Sequence, residues 1–330
     1  MRAGRLMRPH RYVDDDPAAF RQAFAIEIAE TLRRTPRQIP SKYLYDELGS
    51  ALFEAICRLP WYRITRAESA MLVRHARDIV RPMQRPVTLA ELGCGSGDKI
   101  ALLVGAAGEQ FPAVHLIDIS EAALDMARYR LQAIGMRAVI THHLPYEQGL
   151  LRAVQQRPRD GALLVLFLGS NIGNFAPAVA RDFLVRIRRS LRAGDELLLG
   201  TDLVKSEQEL MLAYDDPLHV TAAFNRNLLR RINDELGGNF DLESFAHRVA
   251  WNAAEQRVEA YLVSSRRQHV VIPAAQVEFE LADGESIWTE SSHKYQREQV
   301  VAEGLAAGFS GGEQWIDEDA KFALTRFGVS

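Results

Sequence analysis

Glu91-Leu92-Gly93-Cys94-Gly95-Ser96-Gly97-Asp98-Lys99 places three glycines at alternate positions. It follows the apolar run Val87–Leu92, which reads as a strand, and precedes residues 99–107, whose apolar spacing is helical. Glycines at alternate positions let the chain turn sharply and bring its backbone against a ligand with no Cβ in the way. The helix start beyond offers unpaired N–H groups. The dinucleotide pattern G-x-G-x-x-G is not met, because the third glycine comes one residue early and Asp98 takes its expected place. Nicotinamide-dependent oxidoreduction is thereby disfavoured. Cys94 reads as a small residue in a tight turn rather than as a nucleophile.

Outward from the loop, short apolar runs alternate with helical periodicity. Residues 113–119, 137–141, 162–168 and 196–200 read as strands. Residues 122–134 and the run Val179, Phe183, Ile187, Leu191 read as helices. Strand–helix repetition at this spacing means βαβ units, hence an α/β fold with a doubly wound, Rossmann-like parallel sheet. Its ligands gather at the carboxyl ends of the strands. The second strand closes on Asp118, 25 residues beyond Gly93, where an acid accepts hydrogen bonds from both ribose hydroxyls of an adenosine. Before the sheet, residues 1–16 read as a loose tail, and 17–34, 47–58 and 68–80 as helices. After Thr201 the rhythm changes: residues 207–214 and 217–236 look helical, and 247–251, 258–264, 270–272 and 277–281 add β character. Residues 295–306 return to helix.

The 330 residues carry 40 Lys+Arg against 43 Asp+Glu, a net charge of −3, with 47% apolar residues. These values exclude a disordered chain and give no global pull toward nucleic acid or anionic membranes. Two cysteines, Cys57 and Cys94, cannot make a disulfide framework, so a reducing, cytoplasmic setting is expected. No apolar run is long enough to span a bilayer, and the basic first residues lack the apolar core of a signal peptide. We expect a monomer acting on a small molecule, without a metal.

Glu91-x-Gly-x-Gly-x-Gly with Asp118 resembles the class I S-adenosylmethionine (SAM)-dependent methyltransferases. In that architecture the loop Gly169-Ser-Asn-Ile-Gly-Asn174-Phe-Ala-Pro177 meets the group being methylated. The Asn/Asp-Pro-Pro-aromatic sequence of amino-methylating DNA enzymes is absent here. A small substrate is favoured, with Asn174 offering a carbonyl and an amide to its polar groups.

A closer likeness lies in several blocks taken in order. Ser41-Lys-Tyr-Leu-Tyr45-Asp-Glu-Leu-Gly, Leu59-Pro-Trp-Tyr62-Arg-Ile-Thr-Arg-Ala-Glu68 and Phe167-Leu-Gly-Ser-Asn-Ile-Gly-Asn174-Phe are similar to the ergothioneine-pathway histidine Nα-methyltransferase family. So are Gly200-Thr-Asp-Leu-Val-Lys205, Ala213-Tyr214-Asp-Asp, Phe224-Asn-Arg-Asn227 and Trp288-Thr-Glu290-Ser-Ser292-His-Lys294-Tyr. The resemblance covers about residues 17–330. It implies SAM-dependent trimethylation of the α-amine of L-histidine to the betaine hercynine, and a split α+β substrate domain closing over the sheet edge. The implied division is 1–66 for the N-terminal helical part of that domain, 67–202 for the SAM-binding part, 203–293 for the substrate-domain insertion, and 294–330 for completion of the methyltransferase domain.

Position by position, the resemblance makes Gly93, Gly95, Gly97, Lys99, Asp118 and Tyr146 cofactor-binding. It places Tyr62, Glu290 and Ser292 around the imidazole, and Asn174 and Tyr214 on the carboxylate and amine, with Tyr45 and Gly169 close by. Asn174 and Tyr45 are the candidates for orienting the amine. Taken alone, each tyrosine reads as an amphipathic residue at a domain seam. Glu290 and Ser292 make sense on their own, since two residues apart in an extended stretch they project from one face. Two departures touch specificity. Pro145-Tyr146 stands where the family has an acid before an aromatic, with Glu147 or His143 as substitutes, and Ala260 or Tyr261 stands where the family has a methionine. A methyltransferase for another amino acid and a non-catalytic SAM-binding protein are the competing readings.

Overall fold

The structure, a computed structural model, describes residues 17–83, 86–108 and 111–330. The expected tail 1–16 lies outside the described residues. Among those described, seven strands form one sheet in the order Ser310–Asp317, Phe322–Gly328, Glu196–Asp202, Ala162–Phe167, Val87–Leu92, Val114–Asp118, Val139–His143. The five from Glu196–Asp202 to Val139–His143 are parallel. Phe322–Gly328 is antiparallel to both its neighbours. Val87–Leu92 and Ala162–Phe167 are buried along their whole length, as continuous apolar runs must be between two layers of helices. Chain order reverses between these two strands, and the crevice at their carboxyl ends is the ligand position of such sheets.

A second sheet has the order Arg37–Gln38, Ser286–His293, Arg257–Ser264, Phe245–Asn252. Arg37–Gln38 pairs in parallel with Ser286–His293, so the N-terminal segment and the excursion after the fifth parallel strand share one sheet. Asp46 reinforces the join: it caps the helix Glu47–Arg58 through Gly49 N (2.7 Å) and accepts from Asn227 Nδ2 and Arg230 Nη2 (both 2.6 Å) on the helix Val220–Leu236.

Several elements depart from expectation. The expected 66/67 boundary falls inside the helix Ile64–Val80. The third parallel strand is Val139–His143, two residues later than read, and Tyr146–Gln156 is an added helix. The helix expected from Pro217 starts at Val220, because the Asp216 carboxylate takes the N–H groups of Leu218, Val220 and Thr221 and holds the intervening residues in a turn. Tyr295 and Gln296 precede the last helix, Arg297–Ala306.

Between the second and third parallel strands, His115 Nδ1 lies 2.9 Å from His142 Nε2 with both rings buried. Desolvation, then His142 for His115 and Arg152 for His142, pushes both down to about 4. An unfolded chain takes up protons from about pH 6.5 downward, whereas the folded pair resists until about pH 4. The stabilisation is therefore complete above pH 6.5 and is lost as pH falls toward 4, by on the order of 3 kcal/mol for each histidine. Denaturant melts at pH 7.5 and 4.5 should show wild type losing more stability than His142→Gln; equal losses would remove the pair as the cause.

Candidate active site

Val87–Leu92 delivers the glycine loop to the crevice, where the Gly93 and Cys94 N–H groups donate to the Ile117 carbonyl at 2.7 and 3.3 Å. Gly93, Gly95 and Gly97 all hold positive φ, for different ends. A Cβ on Gly97 would stand 2.6 Å from the Ala127 Cβ, so this glycine lets the loop pack on the helix Glu121–Ala133. A Cβ on Gly95 would meet nothing within 4 Å, which leaves the space before the loop open. One on Gly93 would meet Asn171 Nδ2 at 3.0 Å and the Tyr146 hydroxyl at 3.2 Å.

Asp118 Oδ2 accepts from Gly95 N and Oδ1 from Ser120 N, each at 3.0 Å. The carboxylate is thus fixed with acceptor capacity left on both oxygens. Burial pushes its pKa up against the pull of those N–H groups. At the strand end Glu91 is buried with Oε2 unpartnered among the described residues. An orphaned carboxylate oxygen, open space over Gly95 and spare acceptors on Asp118 fit a ligand with a cationic amine and a vicinal diol, the two ends of SAM. Burial, with Asp118 and Glu91 alongside, holds the Cys94 thiol well above its usual range, consistent with an inert turn residue.

Tyr146 packs its ring on Phe167 and Phe183 beside this crevice. Of the two substitutes for the missing acid, Glu147 is turned to Arg186 at 3.4 Å. His143 lies at the Asp118 end, its Nε2 2.9 Å from the Ile119 carbonyl. Lys99 Nζ sits 2.7 Å from Glu68 Oε2, and Glu68 also takes the Gly169 N–H at 2.9 Å. Burial alone would lower the Lys99 pKa; Glu68 outweighs it and raises it.

The loop after Ala162–Phe167 forms a short 3-10 turn, Asn171–Asn174. Ser170 Oγ accepts from Asp202 N at 2.9 Å, and a Cβ on Gly173 would stand 2.7 Å from the His293 carbonyl. The turn is therefore wedged between the central sheet and the end of Ser286–His293. Opposite it runs a wall of edge-on rings: Tyr45 on Phe53 and Phe224 (5.5 and 5.6 Å between centroids), Phe53 on Tyr62 and Tyr62 on Tyr214 (6.3 Å each). The Tyr214 hydroxyl donates to Ser292 Oγ at 2.8 Å.

Ala260 and Val258 face Glu290 and Ser292 in the ladder, so Ala260 is the cross-strand neighbour of the carboxylate. Among the described residues neither Glu290 nor Asn174 has a side-chain hydrogen-bond partner. Burial, opposed by Lys294, lifts the Glu290 carboxyl to about 7. The ring chain from Tyr45 through Phe53 and Tyr62 to Tyr214, which bonds Ser292 on the Glu290 face of the strand, forms one wall of a chamber; burial first, then Glu290, pushes the Tyr45 hydroxyl up. Burial raises the hydroxyls of Tyr45, Tyr62 and Tyr214 above their usual range, so they stay protonated near neutral pH. A small crevice of about 20 Å³ is lined by Tyr62, Asp202 and Tyr214 but not by Asn174, Glu290 or the glycine loop.

Glu68, Asn171, Asp202 and Lys294 were not singled out from sequence. Lys294 Nζ is buried against Tyr214 OH and Ser292 Oγ (2.8 Å each) and Asp202 Oδ2 (3.0 Å). Its signal was available, since 290, 292 and 294 continue one alternation. Among the described residues no group of three or more His, Cys, Asp or Glu side chains could hold a metal, and no helix is long and apolar enough to cross a membrane.

A parallel sheet ending in an antiparallel hairpin, with a glycine loop at its switch point and an acid closing the next strand, defines a class I SAM-dependent methyltransferase. The chain belongs to the family described as "Histidine-specific methyltransferase, SAM-dependent", whose model matches residues 24–328. It is 38% identical to the histidine N-alpha-methyltransferase of Mycolicibacterium smegmatis over 95% of this chain and 97% of that protein. To the Mycobacterium tuberculosis protein of the same name it is 37% identical, over 91% and 92%. Ergothioneine biosynthesis protein 1 of Schizosaccharomyces pombe is 28% identical over 91% of this chain and 40% of that longer protein.

Proposed function

We propose that the enzyme moves methyl groups from SAM to the α-amine of L-histidine, three times, giving hercynine for ergothioneine biosynthesis, and that it works as a cytoplasmic monomer. The observation that carries this reading is the unpartnered Glu290 carboxylate beside Ser292, in a tyrosine-walled chamber at the cofactor crevice. Gly93, Gly95, Asp118, Tyr146 and Lys99 hold the cofactor, which when bound supplies an electrophilic methyl on a sulfonium. The two sheets divide the work along the boundaries proposed from sequence, with the first shifted to the start of the helix at Ile64.

Much of the rate enhancement comes from positioning. Asn174 and Tyr214 take the carboxylate and amine, and Tyr45 lies over the amine. The α-amine is largely protonated at neutral pH and reacts only after losing its proton, so its hydrogen bonds disappear as methyls accumulate. Tyrosine faces hold a quaternary ammonium by cation–π attraction, ~0.5–2 kcal/mol each, which lets the site retain each intermediate. Mass spectrometry of a twenty-amino-acid mixture incubated with SAM should show only histidine gaining three methyl groups; another modified amino acid, or none, would refute the reading.

Asn174→Ala should lower kcat/KM for histidine on the order of a hundredfold and change SAM affinity little, because Asn171, not Asn174, abuts the glycine loop. Equal losses in turnover and in calorimetric SAM binding would make Asn174 a structural turn residue.

A further inference from the structure

Lys294 is an ammonium with all three donors spent: one on Asp202 Oδ2, one on the Tyr214 hydroxyl oxygen, one on Ser292 Oγ. The Tyr214 hydroxyl also donates to Ser292 Oγ. Lys294 Nζ, the Tyr214 hydroxyl and Ser292 Oγ stand 2.8 Å from one another, so both donors reach the serine oxygen from one side and the ammonium draws its lone pairs toward itself. The single serine proton therefore has to point away from Lys294 and Tyr214, on the side where Glu290 projects from the same strand face. Glu290, by contrast, is a carboxylate with nothing to accept. The chamber so offers one donor and one acceptor to a side chain.

Charge leads to the same place. Glu290 and Asp202 are balanced by Lys294 and by Lys205, which stands 2.6 Å from Asp202 Oδ1. A neutral side chain keeps that balance, whereas a cationic one adds charge next to a buried ammonium. Resting on the histidine reading above, we propose that Lys294 is a positioning residue that commits Ser292 to donate, so that the chamber takes the neutral imidazole in one tautomer, N–H toward Glu290 and bare nitrogen toward Ser292.

The test compares histidine with 3-(1,2,4-triazol-3-yl)alanine, whose ring has both an N–H and bare nitrogens yet stays uncharged near neutral pH. The ratio of their kcat/KM values is measured from pH 8 to pH 5.5. The titratable and charged groups around the pair are Glu290, Lys294, His293 and the Arg257–Glu259 pair on the second sheet, Asp202 and Lys205 on the central sheet, and the three tyrosines. Both substrates meet all of them, so their titration cancels in the ratio. With an ordinary imidazole pKa of about 6.5, uptake of the neutral form makes the ratio fall roughly tenfold across this range.

A ratio that stays level or rises on acidification overturns the inference while leaving histidine methylation intact; absence of histidine turnover overturns the functional reading instead. Lys294→Met should flatten the fall, because the Ser292 hydroxyl is then free to turn its oxygen to the ligand and the buried positive charge is gone. Ser292→Ala, which keeps the Lys294–Asp202 pair, should flatten it too. A purely structural role for Lys294 would lower both substrates in parallel and leave the slope unchanged, which would remove Lys294 from the role.

Discussion

Replacing Glu290 by alanine is expected to lower kcat/KM for histidine by roughly tenfold or more, the scale of one lost charge-assisted hydrogen bond, while leaving tryptophan no worse a substrate. The expectation follows from what surrounds the carboxylate. It is half-buried, lifted to about 7 by desolvation, and has no side-chain partner among the described residues. A side chain that brings an N–H gains a bond there, and one that does not must confront a buried unpaired charge. Wild type therefore favours histidine partly by penalising the alternatives. Truncation to alanine removes both the bond and the penalty, and Ala260 across the ladder adds no bulk to refill the space. Measuring both amino acids on both proteins at one SAM concentration decides the matter. If histidine is unaffected, or if the two fall in parallel, Glu290 does not read the side chain.

The pair Glu290 and Ser292 was legible because strand alternation needs only local sequence. Lys294 continues that alternation, yet a lysine is normally read as a solvated charge, and only the fold reveals Asp202 beneath it. Glu68 is the same case on a helix: it stands among Ile64, Ala67, Met71 and Leu72 on a buried face, fully buried itself, and its partners Lys99 and Gly169 come from elements far along the chain.

The parallel strands were legible because burial on both faces leaves continuous apolar runs. The hairpin Ser310–Asp317 and Phe322–Gly328 was not, since its outer member, SGGEQWID, is an edge strand with a bulge at Gly311/Glu313 and half-exposed side chains. The helix Tyr146–Gln156 went unread, being announced only by Pro145, without a capping side chain. Gly149 within it reads as a breaker, whereas it is the close contact with Ile117, whose side chain a Cβ would meet at 2.3 Å.

The cofactor end gives the other large effect. Asp118→Ala should weaken SAM binding by on the order of 1–3 kcal/mol, about five- to 150-fold. Two consequences of the substitution have to be separated, because the carboxylate also anchors Gly95 N and Ser120 N. Loss of the anchor loosens the glycine loop toward any adenosine ligand. Loss of the spare acceptors acts only on a ligand with ribose hydroxyls to donate. A SAM analogue lacking the 2′-hydroxyl distinguishes them by the logic of a double-mutant cycle. If Asp118 binds the ribose, wild type should prefer SAM over the deoxy analogue and Asp118→Ala should show little preference, both measured by calorimetry. If the variant weakens both ligands equally, Asp118 acts through the loop alone, and the diol must be held by another group.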